Sequence, residues 1–154
     1  MKTLFETYIG QGFKALRCAG YHSSFNKETD EEKRYKRAKA PITEGYAKPD
    51  YQGLKLDDCK KWEAEGGWIG WVIPPGIVVL DIDKEGWQQR FATVRDICKR
   101  QGITPPIHRT NNGVHVFFKA SENIPGNAKG ITKAGFKVTY RAGGKNQLIL
   151  ACVI

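Results

Sequence analysis

The sequence has little acid where it has most base. Only one of its 16 Asp and Glu residues, Glu122, lies beyond residue 98, against nine Lys and Arg in the same stretch. Residues 1–98 nearly cancel, with sixteen basic and fifteen acidic side chains, so the net charge of +9 belongs almost wholly to the last third. A polyanionic partner for the last third is expected. Paired cysteines are also missing. Cys18, Cys59, Cys98 and Cys152 contain no C-x-x-C spacing, which argues against a zinc ribbon and fits a reduced, cytoplasmic setting. A membrane-length apolar run is absent too. The longest, Trp68 to Leu80, has 13 residues and is broken by Pro74-Pro75, well short of the roughly 20 needed to cross a bilayer. No apolar core of a signal peptide opens the chain, because Phe5 and Tyr8 belong to a mixed polar start.

The 154 residues suffice for one domain with a real core, expected over 1–154. Periodicity predicts a first helix from about Thr3 to Cys18, with Leu4, Tyr8, Phe13 and Leu16 inward. Ser23 to Lys39 is dense in both charges and reads as an exposed helix or loop ending in Lys33-Arg34-Tyr35-Lys36-Arg37. Leu54 to Glu65 reads as a short helix, and Trp68 to Ile73 as a strand. The β-branched run Ile77 to Ile82 reads as a buried strand. Trp87, Phe91, Val94 and Cys98 form the stripe of an amphipathic helix over Gly86 to Gln101. Thr104 to Asn112 reads as a loop, and Val114 to Phe118 and Phe136 to Tyr140 as strands. Gln147 to Val153 is expected to pair with the latter as a hairpin. The class is α+β. The chain closes on the strand-like Ala151-Cys152-Val153-Ile154, from which we expect the N-terminal domain of a longer polypeptide.

Three segments carry chemistry. In Val78-Val79-Leu80-Asp81-Ile82-Asp83, residues i and i+2 of a strand project to one face, so Asp81 and Asp83 present paired carboxylates. Like charges at close range repel unless a cation lies between them, and Mg²⁺ or Mn²⁺ is the natural hard partner. Such a motif also serves some glycosyltransferases, and strand ends that are merely solvated. In Arg109 to Phe118, His115 alternates with Val114, Val116 and Phe118 and so faces the other way from them. Its imidazole can meet a phosphate, with Arg109 as a second anion contact; a buried core histidine is the bland alternative. The third segment, Phe136 to Lys145, flanks the turn Gly143-Gly144 with Arg141 and Lys145. Open glycine backbone beside cations suits phosphate, although basic decoration of an ordinary hairpin would look the same.

In this order the three segments resemble the archaeo-eukaryotic primase superfamily. More narrowly, they resemble the bifunctional primase-polymerase domain of phage, plasmid and mobile-element replication proteins. The hydrophobic strand ending in Asp81 and Asp83 matches the family's D-h-D motif, and Gly113-Val114-His115 its small-x-His motif. Lys39-Ala40-Pro41 looks like its K-x-P segment. The resemblance implies an RRM-like mixed sheet with packed helices. It implies Asp81 and Asp83 as ligands of Mg²⁺ or Mn²⁺, and His115 as a contact to the incoming NTP or dNTP. Arg109, Arg141 and Lys145 are added from charge and position as phosphate contacts. The chain departs from the pattern once. The family's third acid should follow Val138, where Thr139 stands, and no acid follows Glu122.

The expected function is therefore template-directed nucleotidyl transfer on single-stranded DNA, as a primase and DNA polymerase of a phage or mobile element. A helicase domain in the same polypeptide is a possible neighbour. The neutral hydroxyl of Thr139 keeps a second reading open: a catalytically impaired DNA- or nucleotide-binding module of a replication initiator. A rolling-circle endonuclease would need two histidines flanking one hydrophobic residue. Val114-His115-Val116 supplies one, and His22 and His108 do not have that spacing. A nucleotide-sugar transferase would leave the His115 strand unexplained.

Overall fold

A computed structural model of the chain describes residues 2–120, 127–131, 137–143 and 148–150. The chain divides into two compact units, residues 1–74 with 148–152, and residues 75–147 with 153–154. All strand pairing among the described residues is antiparallel and falls into two sheets, one of three strands and one of five. The class is α+β.

The first unit begins with α1 (Leu4–Gly10), opened by a capping box in which Thr3 and Glu6 satisfy each other's backbone N–H. The expected helix to Cys18 stops here. Gly12, at φ +89°, turns the chain into β1 (Lys14–Cys18), and Leu16 is buried from a strand instead of a helix. β1 pairs with β2 (Trp68–Val72). Phe5 and Tyr8 pack on the fully buried Trp71, whose ring stacks 4.9 Å from that of Tyr8, and Phe13 meets Tyr8 edge-on. From α3 (Leu56–Ala64), Trp62 donates its indole N–H to the Cys18 carbonyl at 2.9 Å.

The charged stretch after residue 22 is better anchored than its composition suggests. Buried Asn26 donates to the carbonyls of Gly20 and Arg34. Arg34, in α2 (Glu31–Ala38), donates back to the carbonyls of Tyr21 and Glu28. That arginine is thus committed to holding a loop. The Lys39-Ala40-Pro41 segment runs along β1: Ala19 N–H donates to Ala40, and Ile42 N–H to Arg17, each at 2.9 Å. A proline is tolerated there because its missing N–H falls at a sheet edge.

The second unit is a five-stranded sheet. It comprises β3 (Ile77–Asp83), β4 (Ile107–Arg109), β5 (Gly113–Lys119), β6 (Asn127–Ile131) and β7 (Lys137–Ala142), in the order β4-β5-β3-β7-β6. β4 lies within the stretch expected to be a loop. Helix α4 (Trp87–Arg100) lays its stripe on one face, where Val94 and Cys98 meet Ile82, Val114 and Val116. Leu80, Trp87, Phe91 and Phe118 surround them. The last strand, β8 (Leu148–Leu150), does not form the expected hairpin with β7. It joins the first unit's sheet as a partner of β2.

Candidate active site

β3 is the central strand of the second sheet, and its alternation divides the residues cleanly. Leu80 and Ile82 belong to the apolar cluster beneath α4, so Asp81 and Asp83 project to the opposite face. β5 runs alongside with Asp81 in register with His115, and Asp83 with Gly113. On the other flank, β7 puts Thr139 in register with Asp81, and Arg141 with Val79. β4 then sets His108 opposite His115. Directly opposed residues share a face. His108, His115 and Asp81 thus form a row across three strands, and β7 continues the register with the backbone of residue 139.

Gly113 is demanded by this packing. A Cβ there would collide with the Ile82 carbonyl oxygen and lie 2.8 Å from the Asp83 Cα. The glycine lets β5 close against the end of β3, so the small residue two places before the histidine has a steric cause.

His115 is 7% exposed. Its Nε2 lies 3.6 Å from Asp81 Oδ1, and its Nδ1 has no hydrogen-bond partner among the described residues. Burial, reinforced by the neighbouring charges of His108 and Arg141, pushes its pKa down to about 4. At neutral pH the ring is uncharged. Its approach to Asp81 is then a polar contact, too long for a hydrogen bond and not an ion pair. His108 is half-buried, its ring centroid 6.2 Å from that of His115, and burial lowers its pKa also.

The turn after Asp83 is braced. Lys84 takes φ +71°, a sparsely populated backbone conformation for a residue with a side chain. Arg90, one turn into α4, donates to the Asp83 carbonyl and, at 2.9 Å, to that of Glu85. One guanidinium thus ties both sides of the strained residue.

The residues expected from the sequence do not all meet. Asp81, Asp83 and His115 come together, and Arg141 lies close enough for its charge to act on His115. Arg109 does not join them. It is in register with Val114, on the helix-covered face, and its guanidinium lies 4.1 Å from the centroid of Trp87. The shared anion site expected for Arg109 and His115 is corrected accordingly, because one step along a strand reverses the face. Lys145 lies outside the described residues. Two residues were missed: His108, hidden in a presumed loop, and Arg90, whose role is visible only once α4 is folded back.

The donors suit a hard divalent cation. Two carboxylates on one face, with the Asp81 side chain 25% exposed, offer the oxygen ligands that Mg²⁺ takes when waters and substrate phosphates complete its shell. No cluster of three His, Cys, Asp or Glu suited to a metal occurs among the described residues, so protein ligands beyond the two aspartates are not apparent there.

Comparison with protein families gives a match to Prim-Pol, the bifunctional DNA primase/polymerase N-terminal domain, over residues 6–152. The chain belongs to this family. A comparison with curated proteins gave no significant match. Membership in Prim-Pol implies a nucleotidyltransferase-type enzyme with DNA and nucleotides as substrates. No described helix is long and apolar enough to cross a membrane.

Proposed function

We propose that this Prim-Pol domain carries out metal-dependent, template-directed nucleotidyl transfer on single-stranded DNA, with its reacting centre at Asp81 and Asp83. The observation that carries the reading is the register of β3 and β5, which sets the carboxylate pair beside His115 on the face that α4 leaves uncovered. Asp81 and Asp83 would hold Mg²⁺ or Mn²⁺, which supplies charge neutralisation and Lewis acidity toward a phosphoryl group. His115 offers a ring N–H to a phosphate oxygen, and Arg141 adds a fixed positive charge. Template would follow the basic last third. Lys145 and a phage or mobile-element setting belong to this proposal as well.

The test is nucleotide incorporation on a single-stranded template with Mg²⁺ or Mn²⁺. Asp81→Asn keeps the side chain's shape and removes its charge. Losing several kcal/mol of charge stabilisation should lower the rate about a thousandfold. Incorporation that survives chelation of divalent ions, or this substitution, would overturn the assignment. Thr139, in register with Asp81, favours one second reading: a module that binds DNA and has lost catalysis. DNA binding without metal-dependent nucleotide binding would select it.

A further inference from the structure

We propose that His108 forms a second imidazole subsite, which receives the terminal phosphate of the incoming nucleoside triphosphate. The inference rests on the nucleotidyl-transfer reading above and adds a residue to its substrate site. The register brings Asp81, His115 and His108 into one row across three adjacent strands. Neighbouring strands lie about 4.8 Å apart, so the row extends from the carboxylates toward the sheet edge, with the two imidazole centroids 6.2 Å apart. His115, 7% exposed and with one ring nitrogen directed at Asp81, has room for a single phosphate contact. His108 is more open and sits on β4, the edge strand. Gly113, in register with Asp83, puts no side chain on the same face beside the two histidines. A triphosphate whose inner phosphates are held through a divalent cation at Asp81 and Asp83 would therefore pass His115 and end at His108. Anionic oxygen is the acceptor that strengthens a hydrogen bond from an imidazole most, so a phosphate can compete there for the His108 ring.

The subsite predicts discrimination by phosphate count. Binding of a nucleoside triphosphate and of its diphosphate to the full chain would be measured by calorimetry with Mn²⁺, for wild type, His108→Ala and His108→Gln. The expected result is that His108→Ala weakens triphosphate binding about tenfold or more and leaves diphosphate binding unchanged. His108→Gln, whose amide keeps an N–H donor, should recover part of the loss and guards against a misfolded alanine variant. Equal losses for both nucleotides, or no loss for either, would overturn the subsite while leaving the wild-type chemistry standing. Absence of metal-dependent triphosphate binding in the wild type would instead sink the nucleotidyl-transfer reading, and this subsite with it.

Discussion

The two faces of the β3-centred sheet are made by the same strands and differ in almost everything else. Under α4, Ile82, Val114 and Val116 are nearly inaccessible and meet other apolar groups. On the reverse, their immediate neighbours Asp81, Asp83 and His115 present charge and a buried ring nitrogen without a hydrogen-bond partner among the described residues. The covered face gains from leaving water. The other holds His115 buried with an unmatched ring nitrogen, which costs desolvation. Alternation along a strand lets one peptide segment present both surfaces, one apolar and one polar.

The comparison can be broken most sharply with pH. Unfolded His115 takes up a proton near the ordinary histidine value of 6.5, whereas the folded protein resists protonation down to about 4. Below 6.5 the unfolded state binds more protons, so stability should fall with pH through that window, by on the order of 3 kcal/mol in total. Denaturant titrations of wild type and His115→Gln at pH 7 and pH 4.5 test it. The variant should lose distinctly less, and identical losses would mean that the carboxylate face stores no such penalty. On the covered face, Val116→Ala removes two methyl groups from a fully buried site and should cost about 2 kcal/mol. Nucleotide incorporation per folded molecule should stay at the wild-type level; a fall in rate without a fall in stability would show that the faces are not separable. The smallest effect probes the link between them. Arg90 belongs to the helix but holds the Asp83 and Glu85 carbonyls. Arg90→Gln should raise the half-saturating Mn²⁺ concentration about tenfold, the usual scale for a group behind a metal ligand. An unchanged metal titration would confine Arg90 to fold maintenance.

Much of this contrast was legible before folding. Ile77–Asp83 and the α4 stripe carry their periods openly, so the carboxylates could be set on one face and the helix on the other. The hairpin register was also within reach. Thr110 N–H donates to the Gly113 carbonyl across Asn111-Asn112, and counting outward from that pair sets Arg109 against Val114 and His108 against His115. Reading Thr104 to Asn112 as loop hid both facts, and with them the misplacement of Arg109. Other errors had no local remedy. Leu4, Tyr8, Phe13 and Leu16 satisfy a helical stripe, yet glycine breaks the run and a strand takes its second half. β8 has the composition of a hairpin arm, but its partner is β2, more than seventy residues away in the chain, and no nearest-neighbour rule anticipates that pairing.

The Arg109–Trp87 stack has a practical consequence. Trp87 is the one tryptophan in residues 75–147, since Trp62, Trp68 and Trp71 all precede them. It opens α4, immediately after the turn that Arg90 braces, with a cation over its ring. Subtracting the emission spectrum of a Trp87→Phe protein from that of the wild type therefore isolates a single built-in fluorophore. Its signal would follow the carboxylate end of β3 in real time, with no dye attached.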